Sequence, residues 1–287
     1  MHKVERVSAL RAAVSAARKQ DKSIAFVATM GNLHAGHLEL VQSAKRQADF
    51  VVVSIYVNPT QFGENEDLSS YPSTPDEDAR LLAECGADLL FLPSQQTMYP
   101  GELSQQTVVY VPDIGDIYCG VDRPEHFYGV TTVVSRLFNM VQPDIAIFGK
   151  KDYQQMVILK RMVTDLAFPV EIHGVDTVRS ERGLALSSRN GYLTDKQLSI
   201  APTFYLTLQT LGQSLQASKR TKKEINKLEQ KAKQELRAAG FKPQFVTVCR
   251  QSDLTPATKN DSEIVVLAAV VLGKARLIDN LEVFIEQ

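Results

Sequence analysis

The chain has 287 residues, 44% of them hydrophobic and 23% charged, an ordinary globular make-up with room for one large or two modest domains, of which two is the expectation. Its 32 basic residues against 33 acidic ones leave a formal charge of −1, so no global field favours a nucleic acid or an anionic membrane. Three cysteines, Cys85, Cys119 and Cys249, odd in number and without CxxC spacing, argue for reduced thiols and a cytoplasmic home. The start carries Lys3, Glu5 and Arg6 in place of an apolar core, and the longest apolar stretch, Ile264 to Gly273, is far short of a membrane span, which predicts a protein neither secreted nor membrane-spanning.

Taken in chain order, Ile24 to Ala28 reads as a buried strand, Met30-Gly31-Asn32-Leu33-His34-Ala35-Gly36-His37 as the turn after it, and Leu38 to Arg46 as a helix. Phe50 to Tyr56, Leu89 to Leu92 and Ile145 to Gly149 are further apolar runs with helices between them, the pattern of a mostly parallel sheet in a doubly wound α/β domain. Pro75, followed by Asp76, Glu77 and Asp78, opens a helix with acids at its positive end, and that helix reads as structural, stopping near Gly86. Gly129 to Met140 and Asp152 to Leu166 are two more helical stretches. From about Asp176 the texture changes to a Ser/Arg/Gly-rich stretch, Arg179 to Gly191, then helices over Leu198 to Leu215 and Lys222 to Ala239, then strands over Phe245 to Arg250, Glu263 to Leu272 and Arg276 to Ile285. The boundary is therefore placed at 176, with an α/β domain over 1–176 and a smaller α+β domain over 177–287. The run Lys219-Arg220-Thr221-Lys222-Lys223 reads as a solvated helix start.

Five clusters carry chemistry. In the first, Met30 to His37, backbone N–H groups and the positive end of a helix dipole meet two imidazoles, a site suited to a nucleotide phosphate. H-x-G-H alone also fits two surface histidines near a turn. A zinc site would need more than these two ligands, and no nearby acid or thiol completes a tetrahedral set. Asn58-Pro59-Thr60-Gln61-Phe62-Gly63 offers amides to a substrate with hydroxyl and carboxylate groups, or is a plain Asn-Pro turn. Arg123 to Gly129 is a surface loop with an ion pair on its own showing. Gly149-Lys150-Lys151-Asp152-Tyr153-Gln154-Gln155 brings two point charges for phosphate and an acid for ribose hydroxyls or a metal-bound water. Leu186-Ser187-Ser188-Arg189-Asn190 holds hydroxyls and a guanidinium in a loop that either closes on phosphates or is a capping turn.

Together, and in this order and spacing, the five clusters resemble the pantothenate synthetase, or pantoate-beta-alanine ligase, family. The match runs from about Ala28 to Tyr192 through NPTQFG, HFYGVTTVV, GKKDYQQ and LALSSRN, with Tyr71-Pro72, Arg136-Leu137-Phe138-Asn139 and Pro143-Asp144 in support. H-x-G-H itself is shared with many nucleotidyltransferases. The resemblance implies a Rossmann-like amino-terminal domain and a smaller carboxyl-terminal lid. It also implies a homodimeric cytoplasmic enzyme that makes pantothenate from pantoate, beta-alanine and ATP with Mg²⁺, through a pantoyl adenylate. It makes Met30, Gly31, Asn32, Leu33, His34, Ala35, Gly36 and His37 the ATP-binding turn, with His37, His34 and Lys151 catalytic. Gly149, Lys150, Lys151, Asp152, Val178, Leu186, Ser187, Ser188 and Arg189 would complete the nucleotide site. Gln61 and Gln155 would hold pantoate, Asn58 and Gln61 would border beta-alanine, and no protein ligand for the metal is assigned. The chain departs from the family pattern at Ser73, Glu125, Ser180 and Arg182. A nucleotidyltransferase acting on a phosphate ester and a non-catalytic nucleotide sensor stay open as other classes. A tRNA synthetase is disfavoured, because the last hundred residues are neither basic nor large enough for an anticodon domain.

Overall fold

The computed structural model describes residues 1–64 and 66–285. They fall into two compact units, one of Met1–Lys150 with Ile158–Asp176, the other of Lys151–Val157 with the chain from Thr177 onward.

The first unit carries β1 (His2–Val4), α1 (Val7–Arg18), β2 (Ile24–Thr29), α2 (Ala35–Gln47), β3 (Phe50–Ile55), α3 (Pro75–Glu84), β4 (Leu89–Phe91), the short α4 (Gln95–Met98) and α5 (Cys119–Asp122), α6 (His126–Val141) and β5 (Ile145–Gly149). Helix α7 (Tyr153–Asp165) follows, grouped with this unit from Ile158 onward, and β6 (Glu171–Val175) completes it. All six strands are parallel, in the order β1-β4-β3-β2-β5-β6. Ile24 to Val27, Val51 to Val53 and Leu89 to Phe91 are fully buried. A central parallel strand has both faces covered, which is why these segments read as unbroken apolar runs.

The expected strands and the parallel α/β class are found. Besides the one-turn helices α4 and α5, three elements had escaped the sequence reading. β1 and β6 are edge strands with polar, exposed residues, so they lack the apolar run by which buried strands are recognised. Helix α1 buries only Leu10, Val14 and Ala17, a narrow stripe in an alanine-rich segment. Helix α6 begins at His126 rather than Gly129, so its first turn takes in the His-Phe pair.

The second unit carries α8 (Asp195–Ile200), α9 (Thr203–Gln216), α10 (Lys222–Ala238) and an antiparallel sheet, β7 (Lys242–Arg250), β8 (Glu263–Leu272) and β9 (Ala275–Phe284), in the order β7-β8-β9. The helix expected over Leu198 to Leu215 is two, broken at Pro202, which has no N–H to continue α8. Its core joins Phe204, Leu208, Leu211 and Leu236 to Ile264, Val266 and Val270. Thr221 caps α10 by accepting from the Glu224 amide while Glu224 accepts from Thr221, so the basic run before it is a helix start, as read.

Candidate active site

In the first unit's sheet, β3, β4 and β1 lie to one side of β2, and β5 and β6 to the other. The strand order therefore reverses between β2 and β5, and in an open parallel sheet the crevice beyond the carboxyl ends at that point is where ligands sit. Met30 to His37 leave β2 there, and Gly149 closes β5 with Lys150 in the turn after it.

The turn after β2 is built around two left-handed residues, Gly31 at φ +81° and Asn32 at φ +50°. Thr29 Oγ1 donates to the Ser54 carbonyl at 2.9 Å and accepts from the Gly31 amide at 3.3 Å. Asp78, in the first turn of α3 and 1% exposed, accepts from the Asn32 amide at 2.9 Å, the Leu33 amide at 2.8 Å and the Thr74 hydroxyl at 3.1 Å. Two amides that the sequence reading gave to phosphate are thus taken up by a buried carboxylate, because a buried acid needs such donors.

His34 is the N-cap of α2, its Nδ1 accepting from the Gly36 amide at 3.1 Å. The His37 Nδ1 accepts from the His34 amide at 3.4 Å, and the ring centroids lie 4.1 Å apart. With Nδ1 of each ring accepting a backbone N–H, the neutral rings carry their proton on Nε2, so both are donors at that atom.

Asn58 and Gln61 stand beside this turn. Gln61 Nε2 reaches Met30 Sδ at 3.2 Å, and its Oε1 accepts from Asn58 Nδ2 at 3.2 Å. Asn58, 1% exposed, also donates to the Gly129 carbonyl at 3.1 Å and accepts from the Tyr99 hydroxyl at 2.9 Å and the Thr60 hydroxyl at 3.0 Å. The Gln61 carbonyl meets His126 Nδ1 at 2.9 Å and accepts from Arg123 at 3.3 Å, while Arg123 forks onto both oxygens of Glu66 at 2.5 Å. Arg123 to Gly129 is therefore no isolated surface loop, for it fixes the backbone of Gln61. Tyr99 packs under this group, with Arg136 5.3 Å over its ring, and burial pushes its phenol up. Lys150 pairs with the exposed Asp176 at 2.9 Å, a surface contact that is readily exchanged for another anion.

The remaining predicted residues belong to the second unit. Lys151 Nζ lies 3.7 Å from Asp152 Oδ1, and the Lys151 carbonyl accepts from Asn280 Nδ2 at 3.1 Å. Tyr153 donates to Glu282 at 3.1 Å, and burial, followed by that carboxylate, raises its phenol. Gln155 is half-buried in the first turn of α7. Val178 acts through its carbonyl, which accepts the Leu186 amide at 3.0 Å. Ser187 caps a short turn by accepting the Arg189 amide at 3.3 Å, the capping role read as one alternative. Of the four departures, Ser73 is exposed and Glu125 precedes α6 without capping it by its side chain. Ser180 Oγ accepts the Leu184 amide and Arg182 donates to the Ser199 carbonyl. Among the described residues, no group of three or more His, Cys, Asp or Glu is arranged to hold a metal ion, and no helix is long and apolar enough to cross a membrane.

Residues 2–282 match the family model of pantoate-beta-alanine ligase. The chain is 50% identical over 287 residues to pantothenate synthetase of Pseudomonas putida KT2440, covering 100% of this chain and 99% of that one. The chain belongs to the pantoate-beta-alanine ligase family. It is 50% identical over 285 residues to the Colwellia psychrerythraea pantothenate synthetase, covering 99% of each. Among solved structures it is similar to pantothenate synthetase from Thermus thermophilus, with a TM-score of 0.90 at 42% identity over 99% of this chain and 100% of that one. It is also similar to the Francisella tularensis pantoate-beta-alanine ligase complexed with beta-gamma ATP and beta-alanine, with a TM-score of 0.79 at 33% identity over 98% and 97%. This is an enzyme family whose reaction joins pantoate to beta-alanine.

Proposed function

We propose that Met30 to His37 bind ATP, that Gln61 and Gln155 hold pantoate, and that Asn58 with Gln61 borders beta-alanine as the chain ligates the two acids. The observation that carries this is the placement of two Nε2–H donors, from His34 and His37, at the mouth of α2 beside the Gln61–Asn58 amide pair. One group answers to phosphate and the other to a small hydroxy acid. Lys151, Asp152, Gly149, Lys150, Val178, Leu186, Ser187, Ser188 and Arg189 are assigned to the same nucleotide by the resemblance.

A carboxylate is a poor acylating agent. A pantoate oxygen attacks the α-phosphorus of ATP in line, the bond to the bridging oxygen breaks, and pyrophosphate leaves with the electron pair. The amine of beta-alanine then attacks the acyl carbon, gives up a proton, and AMP departs. Both steps demand placement and charge stabilisation more than a protein nucleophile. Mg²⁺ would come with the phosphates and offset their charge, and Asp152, next to Lys151, would orient either the ribose hydroxyls or a metal-bound water. A homodimer and a cytoplasmic location, the latter supported by an odd number of cysteines without CxxC spacing, belong to the same proposal.

The test is pyrophosphate exchange. With ATP, pantoate, Mg²⁺ and labelled pyrophosphate but no beta-alanine, the wild-type chain forms the adenylate reversibly and incorporates label into ATP. A phosphate-ester nucleotidyltransferase does not do so with pantoate, and a sensor does so with nothing, so absence of exchange in folded protein overturns the two-step reading.

A further inference from the structure

We propose that Asp279 on β9, acting through Arg179, is the positioning residue that sets where Ser187, Ser188 and Arg189 present their donors; this rests on the nucleotide-site assignment above. The pair is bidentate, Arg179 NH1 to Oδ2 at 2.6 Å and NH2 to Oδ1 at 2.8 Å, with side chains 17% and 3% exposed. The guanidinium also donates to the Gly183 carbonyl at 3.1 Å and lies 3.3 Å from the centre of the Tyr205 ring.

Taking two charges out of water is costly, and an apolar pair of similar volume would stabilise a core as well or better, so such a pair is weak evidence for stability. What it supplies is direction, because a forked guanidinium against a carboxylate fixes both position and rotation. Here the thing directed is a hairpin. Arg179 bridges Ala185, Ser180 accepts the Gly183 and Leu184 amides, and the Val178 carbonyl holds the Leu186 amide at 3.0 Å. Leu186 leads straight into the Ser187 turn, so one backbone hydrogen bond separates the clamped strand from the donors.

The platform is stiff. β9 pairs with β8 without interruption from Ala275 to Phe284. The next residue on it, Asn280, donates to the Lys151 carbonyl, and Glu282 accepts from Tyr153. One strand thus serves as the common reference for the Ser187–Arg189 loop and for Lys151. The Lys151–Asp152, Lys231–Glu235 and Arg250–Asp253 pairs of the same unit are all more exposed.

The experiment uses the full chain with Asp279→Asn, which keeps the shape and removes the charge, and Arg179→Lys, which keeps the charge and removes the fork. In each, KM for ATP rises and kcat falls by roughly 10- to 100-fold, while KM for pantoate changes less than about 2-fold. Amide exchange over residues 184–192 speeds up while that of α10 does not, and the double variant is no worse than the worse single one. A lowered melting temperature with ATP kinetics and 184–192 exchange unchanged overturns the proposal and leaves a structural ion pair. Ser188→Ala and Arg189→Ala separate the two layers. If these leave KM for ATP unchanged, the loop's assignment to ATP fails, and the exchange measurement still decides whether Asp279 positions it.

Discussion

A Cβ built on Gly31 would stand 3.0 Å from the Asp78 carboxylate oxygen, and 3.1 Å from Ile55 Cγ2 on the other side. The turn has closed on that carboxylate, which in return accepts the next two amides along the chain. Gly31→Ala therefore meets both a left-handed backbone and two tight neighbours, and should cost about 1–3 kcal/mol, read as a lower urea midpoint at unchanged slope. Asp78→Ala leaves two part-buried amides without their acceptor and should cost roughly 2–4 kcal/mol. Both variants should also weaken ATP, because the turn delivers His34 to the start of α2. Midpoints indistinguishable from wild type would show that the carboxylate does not hold the turn.

Asp78 also marks where the sequence stops being informative. An acid in the first turn of a helix already has a local reason to be there, the dipole, so nothing in Pro75 to Asp78 points to an amide pair 45 and 46 residues away. The same holds for Tyr99 on Asn58 and for Arg123 on Glu66, which lie 41 and 57 residues apart. Contacts of that separation leave no period in the chain. What could be read was what is local or doubly buried: the strands with both faces covered, the glycine turn before α2, the capped start of α10. The edge strands β1 and β6, in which Ile172 is the one buried residue, could not be read by the same rule.

For His37 the expectation follows from its Nε2–H at the helix mouth. His37→Ala should lower kcat by roughly 10²- to 10³-fold, about 3–4 kcal/mol, the usual loss for one transition-state donor. The far-ultraviolet dichroism should change little, since His34 still caps the Gly36 amide and only the long His34 N–H to His37 Nδ1 hydrogen bond of the capping box is lost. A variant with near wild-type kcat removes His37 from the chemistry.

Gly129 is where α6 touches the Asn58–Gln61 turn. A Cβ there would lie 2.3 Å from the Thr60 carbonyl oxygen and 2.6 Å from Gln61 Cα, and both are backbone, so neither can swing aside. Gly129→Ala should push the turn off α6, break the Asn58 to Gly129 hydrogen bond, and cost roughly 1–3 kcal/mol as overpacking does. Because Gln61 moves with the turn, KM for pantoate should rise while KM for ATP changes little. Equal effects on the two substrates would show that Gln61 does not discriminate between them.

Tyr56, just past β3, supplies a pH-dependent prediction. Its buried hydroxyl has no hydrogen-bond partner among the described residues. Burial first and the neighbouring Tyr99 second push its phenol up to about 12 from 10.0, against Arg136, which pulls it down. Below pH 10 both folded and unfolded chains keep this proton, and its contribution to stability is present in full. Between pH 10 and 12 the unfolded chain loses the proton first, so the unfolded state gains and stability falls. The urea midpoint should accordingly decline less steeply over that window in Tyr56→Phe than in wild type, although other tyrosines and lysines titrate in both. The wild-type minus variant absorbance at 295 nm should titrate near pH 12 in the folded protein. A difference titration centred at pH 10 would mean that the Tyr56 hydroxyl reaches water and that the group beneath Asn58 is open.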